Sequence, residues 1–376
     1  MPSMWRPREL LTGAVMAAGL LAMVVSADAT TPIRAQAPGP SGAPPYPAPA
    51  PGGGGSAAPS SPGVAPAPDG RLHARIDVSV ATLWMHPRAT RGLDQPSLQQ
   101  PVAIRTWLGH LGSAERRWLV GRLVTQALYG QDVVVRRRQG GWDQVSLTSQ
   151  ARGGGLSYPG WLPERQLTFR PPPATTAPAT VAVVRTSTAW LRTPGAGDAP
   201  GARFLQISFD TQLPVVGRRA GFVSVSTPDG ETKEIAAQAV WLRPVGVLVP
   251  TPSGEEIVST ARQFLGLRYL WAGTSGFGFD CSGLTSVVYA AYGIIIPRTA
   301  DLQAGVGWPV PRARLAPGDL VFFSPSGSGI DHVAIYAGRG RILESPNSSF
   351  SVRVIPLSVR SGEYVTARRM LGPTPR

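Results

Sequence analysis

The sequence predicts an α+β protein, with two small β-barrels ahead of a C-terminal domain in which helices pack on a sheet. Two observations predict this fold class. Across residues 71–246, short β-prone runs alternate with turn signals about every ten residues, a pattern typical of small barrels. From residue 253 onward, two segments with helical periodicity precede strand-like runs at 319–323 and 332–336. A chain of 376 residues is long enough for several such units.

The composition excludes several classes of protein. One cysteine and four histidines exclude a disulfide framework and a thiolate zinc cluster, and we expect neither a metal nor an organic cofactor. The net charge of +14 comes almost wholly from arginine, since Lys233 is the only lysine. Such a charge favours anionic partners, but the arginines are scattered and no nucleic-acid motif accompanies them. We therefore expect no nucleic-acid partner and retain an anionic cell-wall polymer as a candidate.

The first residues have the features of a secretory signal peptide. Two arginines precede an apolar run from Leu10 to Val25, and small residues follow it. The run is short for a membrane helix, which needs ~20 residues. We expect residues 1–29 to be a signal peptide cleaved after Ala29, with cleavage after Ala37 or an uncleaved anchor as alternatives. The prediction is a secreted or cell-envelope protein that meets the membrane only through an uncleaved signal segment.

A linker and two small units follow. Residues 30–70 are rich in proline, glycine and alanine, and such a segment buries too little apolar surface to fold, so we expect a disordered tether. The next units are module 1 (residues 71–172) and module 2 (residues 178–246), separated by a proline run. Small barrels are spacers as often as binding modules, so the pattern leaves the role of both modules open.

The pattern of residues predicts individual elements in both modules. In module 1 we expect strands at 76–80, 132–135 and 142–147, with a more helical stretch from Val102 to Val124. The strands expected in module 2 lie near 180–186, 205–208, 213–216, 221–226 and 239–242.

The C-terminal domain (residues 253–376) carries the candidate chemistry. Ser253 is the expected N-cap of its first helix. Cys281 lies where a loop meets a second helix, and helix N-termini favour the thiolate, so we expect a lowered thiol pKa. A lone cysteine is most often a small buried hydrophobe. Here, however, Asp280 and Ser282 flank the thiol where a core cysteine would prefer apolar neighbours.

A thiol nucleophile needs a base, and His332 is the only histidine of this domain. It begins the strand-like run at 332–336. Glu344 follows twelve positions later and could accept a hydrogen bond from the second ring nitrogen, orienting the imidazole. The alternatives are that His332 is merely a strand-end residue and that Glu344 is an exposed carboxylate.

These residues resemble the motifs of a known family. Tyr269, the run Asp280-Cys281-Ser282-Gly283, and the segments 317–320 and 332–336 resemble the NlpC/P60 cysteine peptidases in order and spacing. Two segments of module 1, 125–130 and 158–161, resemble the bacterial SH3-type (SH3b) modules that precede such a peptidase. Together they resemble the γ-D-glutamyl-L-diamino-acid endopeptidases of peptidoglycan stem peptides. The resemblance implies a papain-like α+β catalytic domain, two SH3-like barrels, and peptidoglycan or muropeptides as partners.

The resemblance also implies roles for single residues. Cys281 would be the nucleophile, His332 the general base and Glu344 the orienting group, at a position where the family usually has a second histidine. Tyr269 would help stabilise the oxyanion through its hydroxyl. The implied substrate-binding residues are Asp280, Ser282, Arg298, Tyr158 and Trp271.

Two positions depart from the resembled endopeptidases. Those enzymes neutralise the free amino group of the substrate with carboxylates where this chain has Val124 and Thr299. A closed pocket without them leaves an ammonium poorly paired. We expect a relaxed or shifted specificity, for stem peptides whose L-Ala nitrogen is an amide, or binding of the amine through Asp280 alone.

Two rival functions stay open. One is an inactive or weakly active cell-wall-binding scaffold. The other is a different amide cleavage or an acyl transfer on the same framework.

Overall fold

The computed structural model describes residues 70–150, 158–169, 178–197, 199–247 and 250–372. The predicted signal peptide and almost all of the predicted linker lie outside the described residues, as does the proline run between the modules. Among the described residues, the longest helix has 10 residues, and none combines the length and apolarity needed to cross a bilayer.

Module 1 is built on a seven-stranded antiparallel sheet. Its strands are β1 (Leu72–Ile76), β2 (Val80–Trp84), β3 (Leu123–Leu128), β4 (Asp132–Gln139), β5 (Trp142–Leu147), β6 (Gly160–Pro163) and β7 (Leu167–Thr168). They are hydrogen-bonded in the order β3-β2-β6-β5-β4-β1-β7. Two short helices, α1 (Ile104–Gly109) and α2 (Ser113–Trp118), lie between β2 and β3.

Two predictions for module 1 were wrong in detail. The strand expected at 76–80 is a corner, because β1 ends at Ile76 and β2 begins at Val80. Ile76, Val78 and Val80 are all buried, so an alternating apolar pattern continues through the change of direction. The helical stretch expected from Val102 to Val124 is two short helices, and its last two residues already belong to β3.

Module 2 repeats the sheet of module 1. Its strands are β8 (Thr180–Val184), β9 (Thr188–Arg192), β10 (Arg203–Ser208), β11 (Gln212–Arg219), β12 (Phe222–Ser226), β13 (Thr232–Ala236) and β14 (Val240–Pro244). The order β10-β9-β13-β12-β11-β8-β14 is that of module 1 with each strand advanced by seven. Five of these strands match the expected runs, whereas β9 and β13 were not predicted.

The C-terminal domain packs helices on a six-stranded antiparallel sheet. Its helices are α3 (Gly254–Arg262), α4 (Cys281–Ala290) and α5 (Ala300–Gln303), and a small hairpin, β15 (Thr274–Ser275) and β16 (Gly278–Phe279), precedes α4. The sheet strands are β17 (Trp308–Pro309), β18 (Leu320–Phe323), β19 (His332–Gly338), β20 (Arg341–Glu344), β21 (Arg353–Pro356) and β22 (Tyr364–Arg369). Their order is β17-β22-β18-β19-β20-β21.

Local sequence explains where the first helix of this domain begins. The Ser253 hydroxyl accepts a hydrogen bond from the Glu256 N–H at 3.2 Å, and the Glu256 carboxylate accepts one from the Ser253 N–H at 2.8 Å. This reciprocal cap satisfies two N–H groups that the helix cannot pair internally. Ile257 and Ala261 then bury the inner face of α3 in a core shared with α4, β18 and β19.

The hairpin ahead of α4 is bound to module 1. The Gln126 side-chain oxygen on β3 accepts hydrogen bonds from the Thr274 N–H at 3.2 Å and from the Ser275 hydroxyl at 2.8 Å. The Thr274 hydroxyl donates to the Gln126 carbonyl at 2.9 Å. Module 1 therefore helps to fix the segment that leads into Cys281.

Candidate active site

Cys281 is the first residue of α4, and its side chain is 9% exposed. Asp280 caps this helix, since its Oδ1 accepts a hydrogen bond from the Gly283 N–H at 2.6 Å. Glycine is required at position 283, because a Cβ there would collide with the carbonyl oxygen of Gly273. The sulfur is thus held at one defined place at the start of the helix.

The sulfur of Cys281 lies against the backbone on both sides of His332. Its thiol donates to the carbonyl oxygen of Asp331, with Sγ and oxygen 4.0 Å apart. The N–H of Val333 donates to the same sulfur. Because these two backbone groups flank His332 at the start of β19, the predicted nucleophile and the predicted base are brought side by side.

The thiol does not have the lowered pKa that we expected. Burial raises the pKa of Cys281 to about 12, and the negative charge of Asp280 acts in the same direction. The N–H groups of Val333 and Ser282 and the charge of Arg298 oppose this shift but do not cancel it. The resting group is therefore a neutral thiol near pH 7, and its attack on a carbonyl needs a base that removes the proton.

His332 has a fixed orientation. Its Nε2 lies 2.9 Å from Oε2 of Glu344, so Nδ1 is the nitrogen left for the thiol. The ring of Phe323 lies 5.7 Å from the imidazole, centroid to centroid. Glu344 is fully buried, which excludes the alternative that it is an exposed strand carboxylate.

Two arginines that we did not predict complete the surroundings of Glu344. Arg353 Nε donates to Oε1 at 2.9 Å, and Arg360 Nε donates to Oε2 at 2.6 Å. Burial by itself would raise the pKa of Glu344, but the hydrogen bonds and charges of His332 and Arg360 outweigh it and lower that pKa to about 2. Glu344 is thus a carboxylate at any pH at which the protein would work.

Asp280, Ser282 and Arg298 form a buried cluster behind the thiol. Arg298 is 2% exposed, and its Nη1 and Nη2 donate to Oδ1 and Oδ2 of Asp280 at 3.0 and 2.5 Å. Nη1 also donates to the Ser282 hydroxyl at 3.0 Å, and Nε donates to the hydroxyl of Thr125 on β3 at 3.2 Å. The charge of Asp280 is therefore already balanced by a bidentate partner.

The two positions that depart from the resembled enzymes lie beside this cluster. Val124 is buried on β3 next to Thr125, and Thr299 is buried next to Arg298. The Thr299 hydroxyl oxygen has no hydrogen-bond partner among the described residues. Neither position therefore carries a charge, and the Val124 side chain packs in the hydrophobic core of module 1.

Three other predicted site residues lie at or near the boundary with module 1. The Tyr269 N–H donates to the Phe350 carbonyl at 3.1 Å, and the Tyr269 carbonyl accepts from Arg116 Nη1 at 2.7 Å. The indole N–H of Trp271 donates to the carbonyl of residue 123 on β3 at 3.2 Å, so this side chain joins the two regions. Tyr158 packs, half-buried, against the core of module 1. The roles of all three toward a substrate stay predictions.

A separate cavity of about 80 Å³ lies where module 1, module 2 and the C-terminal domain meet. Its lining includes Gln131, Asp210 and Arg298 but neither Cys281 nor His332. Such a volume holds about two or three water molecules and is too small for a peptide. Burial in this junction raises the pKa of Asp210 to about 7.

Comparison with known proteins agrees with this geometry. The NlpC/P60 family model matches residues 266–369, and the YKFC SH3b2 domain model matches residues 184–241. A Gamma-D-glutamyl-L-lysine dipeptidyl-peptidase of Bacillus cereus is 38% identical over 312 residues, which cover 79% of this chain and 91% of that protein. A protein of the same name from Bacillus subtilis is 38% identical over 292 residues, covering 76% and 94%.

The fold agrees as well. The crystal structure of an NlpC/P60 family protein from Bacillus cereus superposes with a TM-score of 0.74 at 37% identity, covering 80% of this chain and 99% of that one. The chain belongs to the NlpC/P60 family and is a cysteine peptidase with SH3b modules. The predicted family and fold class are confirmed.

Proposed function

We propose that this peptidase hydrolyses the γ-D-glutamyl-diamino-acid amide bond of peptidoglycan stem peptides. The observation that carries the proposal is the sulfur of Cys281 against the backbone flanking His332, whose far nitrogen is held by Glu344. The names of the two Bacillus relatives support the choice of bond, since both refer to a γ-D-glutamyl-L-lysine linkage.

The arrangement supports a two-step hydrolysis. Nδ1 of His332 takes the thiol proton as Sγ of Cys281 attacks the carbonyl carbon, and the Cys281 N–H and the Tyr269 hydroxyl stabilise the oxyanion. When the C–N bond breaks, His332 returns the proton to the leaving amine, and the γ-glutamyl group remains as a thioester. His332 then deprotonates a water molecule, which releases the carboxylic acid and restores the thiol.

The lack of charge at Val124 and Thr299 supports a preference for substrates without a free ammonium. Asp280 is paired with Arg298, and Val124 and Thr299 bring no charge. An ammonium placed there would lose water without gaining a free carboxylate, which costs several kcal/mol when buried. The preferred substrates are therefore stem peptides whose L-Ala nitrogen is acylated, as in intact peptidoglycan.

The test of this preference compares free L-Ala-γ-D-Glu-diaminopimelate with its N-acylated analogue. We expect kcat/KM for the acylated peptide to equal or exceed that for the free amine. A strong preference for the free amine would contradict the argument from the two uncharged positions and leave the bond assignment untouched.

The bond itself is tested by mass spectrometry of purified muropeptides after digestion. We expect fragments cut between D-Glu and the diamino acid, and none with Cys281→Ala. Loss of D,D-crosslinks, or transfer to an added amine, would assign the rival reaction. Binding to sacculi without turnover, equal for both proteins, would assign the scaffold.

The proposal also covers where the protein is located and which wall polymer it contacts. The predicted signal peptide, residues 1–29, supports a secreted or cell-envelope protein, and a mature N-terminus at residue 30 in the extracytoplasmic fraction would test it. The excess of arginine supports contact with an anionic wall polymer, which salt-dependent sedimentation with sacculi would test.

A further inference from the structure

The two oxygens of Glu344 have different partners. Oε2 accepts from His332 Nε2 and from Arg360 Nε, at 2.9 and 2.6 Å. Oε1 accepts from Arg353 at 2.9 Å and, at 3.4 Å, from Arg360 Nη2. Arg360 thus shares an oxygen with His332 and spans both oxygens, whereas Arg353 bonds only the oxygen that faces away from His332.

Arg360 is itself fixed in place. Its Nη1 donates to Glu363 Oε2 at 2.6 Å, and its guanidinium carbon lies 5.8 Å from the ring centroid of Phe323. Phe323 also packs on the imidazole of His332. The Arg360 side chain is 12% exposed, against 32% for Arg353. Arg360 therefore contacts Glu344 and Phe323, and each of these two side chains contacts His332.

We propose that Arg360 is a positioning residue for His332 and acts through Glu344 and Phe323, an inference that rests on the proposed role of His332 as base. The guanidinium of Arg360 donates from Nε and Nη2 to the two oxygens of Glu344. This fixes the carboxylate so that its Oε2 faces Nε2 of His332. The charge of Arg360 lies against the same oxygen that contacts the ring and offsets part of the negative charge there. Nε2 is thus held by Glu344, and Nδ1 is left to accept the thiol proton.

The other charged groups around His332 and Glu344 do not make the contact that Arg360 makes with Oε2 of Glu344. Arg353 on β21 bonds the far oxygen, and Glu363 bonds the outer nitrogen of Arg360. Asp331 precedes His332, and its backbone carbonyl accepts a hydrogen bond from the Cys281 thiol. On the α4 side, Asp280 and Arg298 balance each other. Arg360 is the one cation among the described residues that bonds the oxygen shared with His332.

The single cysteine of the chain allows a test without any substrate. Iodoacetamide alkylation of Cys281 is measured against pH for the full chain with Arg360→Gln, Arg360→Lys and the matched control Arg353→Gln. The acid limb of this profile is the part in which the alkylation rate rises with pH on the acid side. Since the resting thiol is protonated, this limb follows the ability of His332 to accept a proton. Without the Arg360 charge, Glu344 holds the imidazolium more strongly.

For Arg360→Gln we expect the acid limb to move to higher pH by about one unit. The value of kcat for stem-peptide cleavage should fall about tenfold, with KM within about twofold. Arg360→Lys keeps the positive charge but cannot bond both oxygens of Glu344. Its acid limb should therefore stay at the wild-type pH, and its kcat should fall less than that of Arg360→Gln. Arg353→Gln should move the limb and lower kcat less than Arg360→Gln does, because Arg353 bonds only the oxygen that faces away from His332.

An acid limb that stays in place or moves to lower pH in Arg360→Gln would overturn the inference. Equal losses in Arg360→Gln and Arg353→Gln would do the same, because they indicate general disruption. If Arg360→Gln does not fold, a wild-type kcat in Arg360→Lys overturns it and a reduced kcat with an unmoved limb supports it. Alkylation behaving as expected without stem-peptide hydrolysis would refute the proposed substrate and leave the role of Arg360 standing.

Discussion

Tyr129 of module 1 and Phe209 of module 2 occupy the same position in the two repeated sheets, and each ring lies in the hydrophobic core of the next region. Tyr129 follows β3 and packs in the core of module 2. Phe209 follows β10 and packs in the core of the C-terminal domain, edge-on to Phe264 at 5.2 Å. The residues after them, Gly130 and Asp210, both have positive φ, so the same turn presents each ring.

The contact also runs in the other direction, because Leu270, Ala272 and Phe277 of the C-terminal domain lie in the core of module 1. Gly276 comes so close to module 2 that a Cβ would collide with the Ser187 carbonyl. The modules are therefore part of the scaffold that holds the loop before Cys281, whatever they bind.

Phe209→Ala should lower the free energy of unfolding by about 3–5 kcal/mol, since it removes a fully buried ring from a shared core. Because the cores are shared, we expect one unfolding transition, seen at the same denaturant concentration by tryptophan fluorescence and circular dichroism. Phe204→Ala, in the same module but 48% exposed, should cost under about 1 kcal/mol. Separate transitions, with the C-terminal domain unaffected by Phe209→Ala, would show that the regions fold independently.

His332→Ala should make Cys281 behave as a buried thiol. Burial raises the pKa of Cys281 to about 12, so little thiolate forms near pH 7 without a base. We expect iodoacetamide alkylation at pH 7.5 to slow about 100-fold and to recover only as the pH becomes strongly alkaline. His110→Ala, in module 1, is the control and should alkylate as the wild type does. An unchanged rate in His332→Ala would mean that the imidazole does not assist the thiol.

Glu344→Gln should weaken the protein in a pH-dependent way. The pKa of Glu344 is lowered to about 2 in the folded chain, from an ordinary value of 4.5. Its contribution of about 3 kcal/mol is complete above pH 4.5 and is lost as the pH falls through about 2. The substitution should therefore cost most at pH 7 and progressively less toward pH 2, as followed by urea unfolding. A penalty that is equal at pH 7 and pH 3 would contradict the charge argument.

Sequence reasoning succeeded for the parts of the site that depend on local structure. Glu344 reaches His332 because β19 and β20 form a hairpin in which Leu343 pairs with Ile335, and this register places residues 332 and 344 diagonally opposite. The cap at Ser253 is likewise encoded within four residues. Arg353 could have been found by the same argument, since it pairs directly with Glu344 on β21.

The features that were missed depend on contacts between distant segments. Arg360 is the last residue of a 3₁₀ turn that follows β21, so no strand register predicts its contact with Glu344. The raised pKa of Cys281 reflects burial under neighbouring segments, which outweighs the helix terminus seen in the sequence. Tyr129 and Phe209 resemble ordinary core residues of their own modules, and only the assembled chain shows that each serves the next core.

Asp210→Asn should remove a loss of stability that develops as the pH rises from about 4 to about 7. Asp210 is buried at the junction of the three regions, its Oδ1 accepts from the Gln212 side chain at 3.0 Å, and burial raises its pKa to about 7. The folded chain therefore favours the protonated acid, and this stability is complete below pH 3.8 and is lost as the pH rises through about 7. Asparagine tolerates the positive φ of this position and carries no charge.

We expect thermal unfolding of the wild type to show roughly 1–4 kcal/mol less stability from this group at pH 8 than at pH 4. Asp210→Asn should be more stable than the wild type at pH 8 and should lose this part of the pH dependence. Asp301→Asn, which alters an exposed carboxylate of α5, should follow the wild-type curve. If Asp210→Asn instead runs parallel to the wild type from pH 4 to pH 8, Asp210 stays ionised in the folded chain and the junction holds a charge that the packing around it does not disfavour.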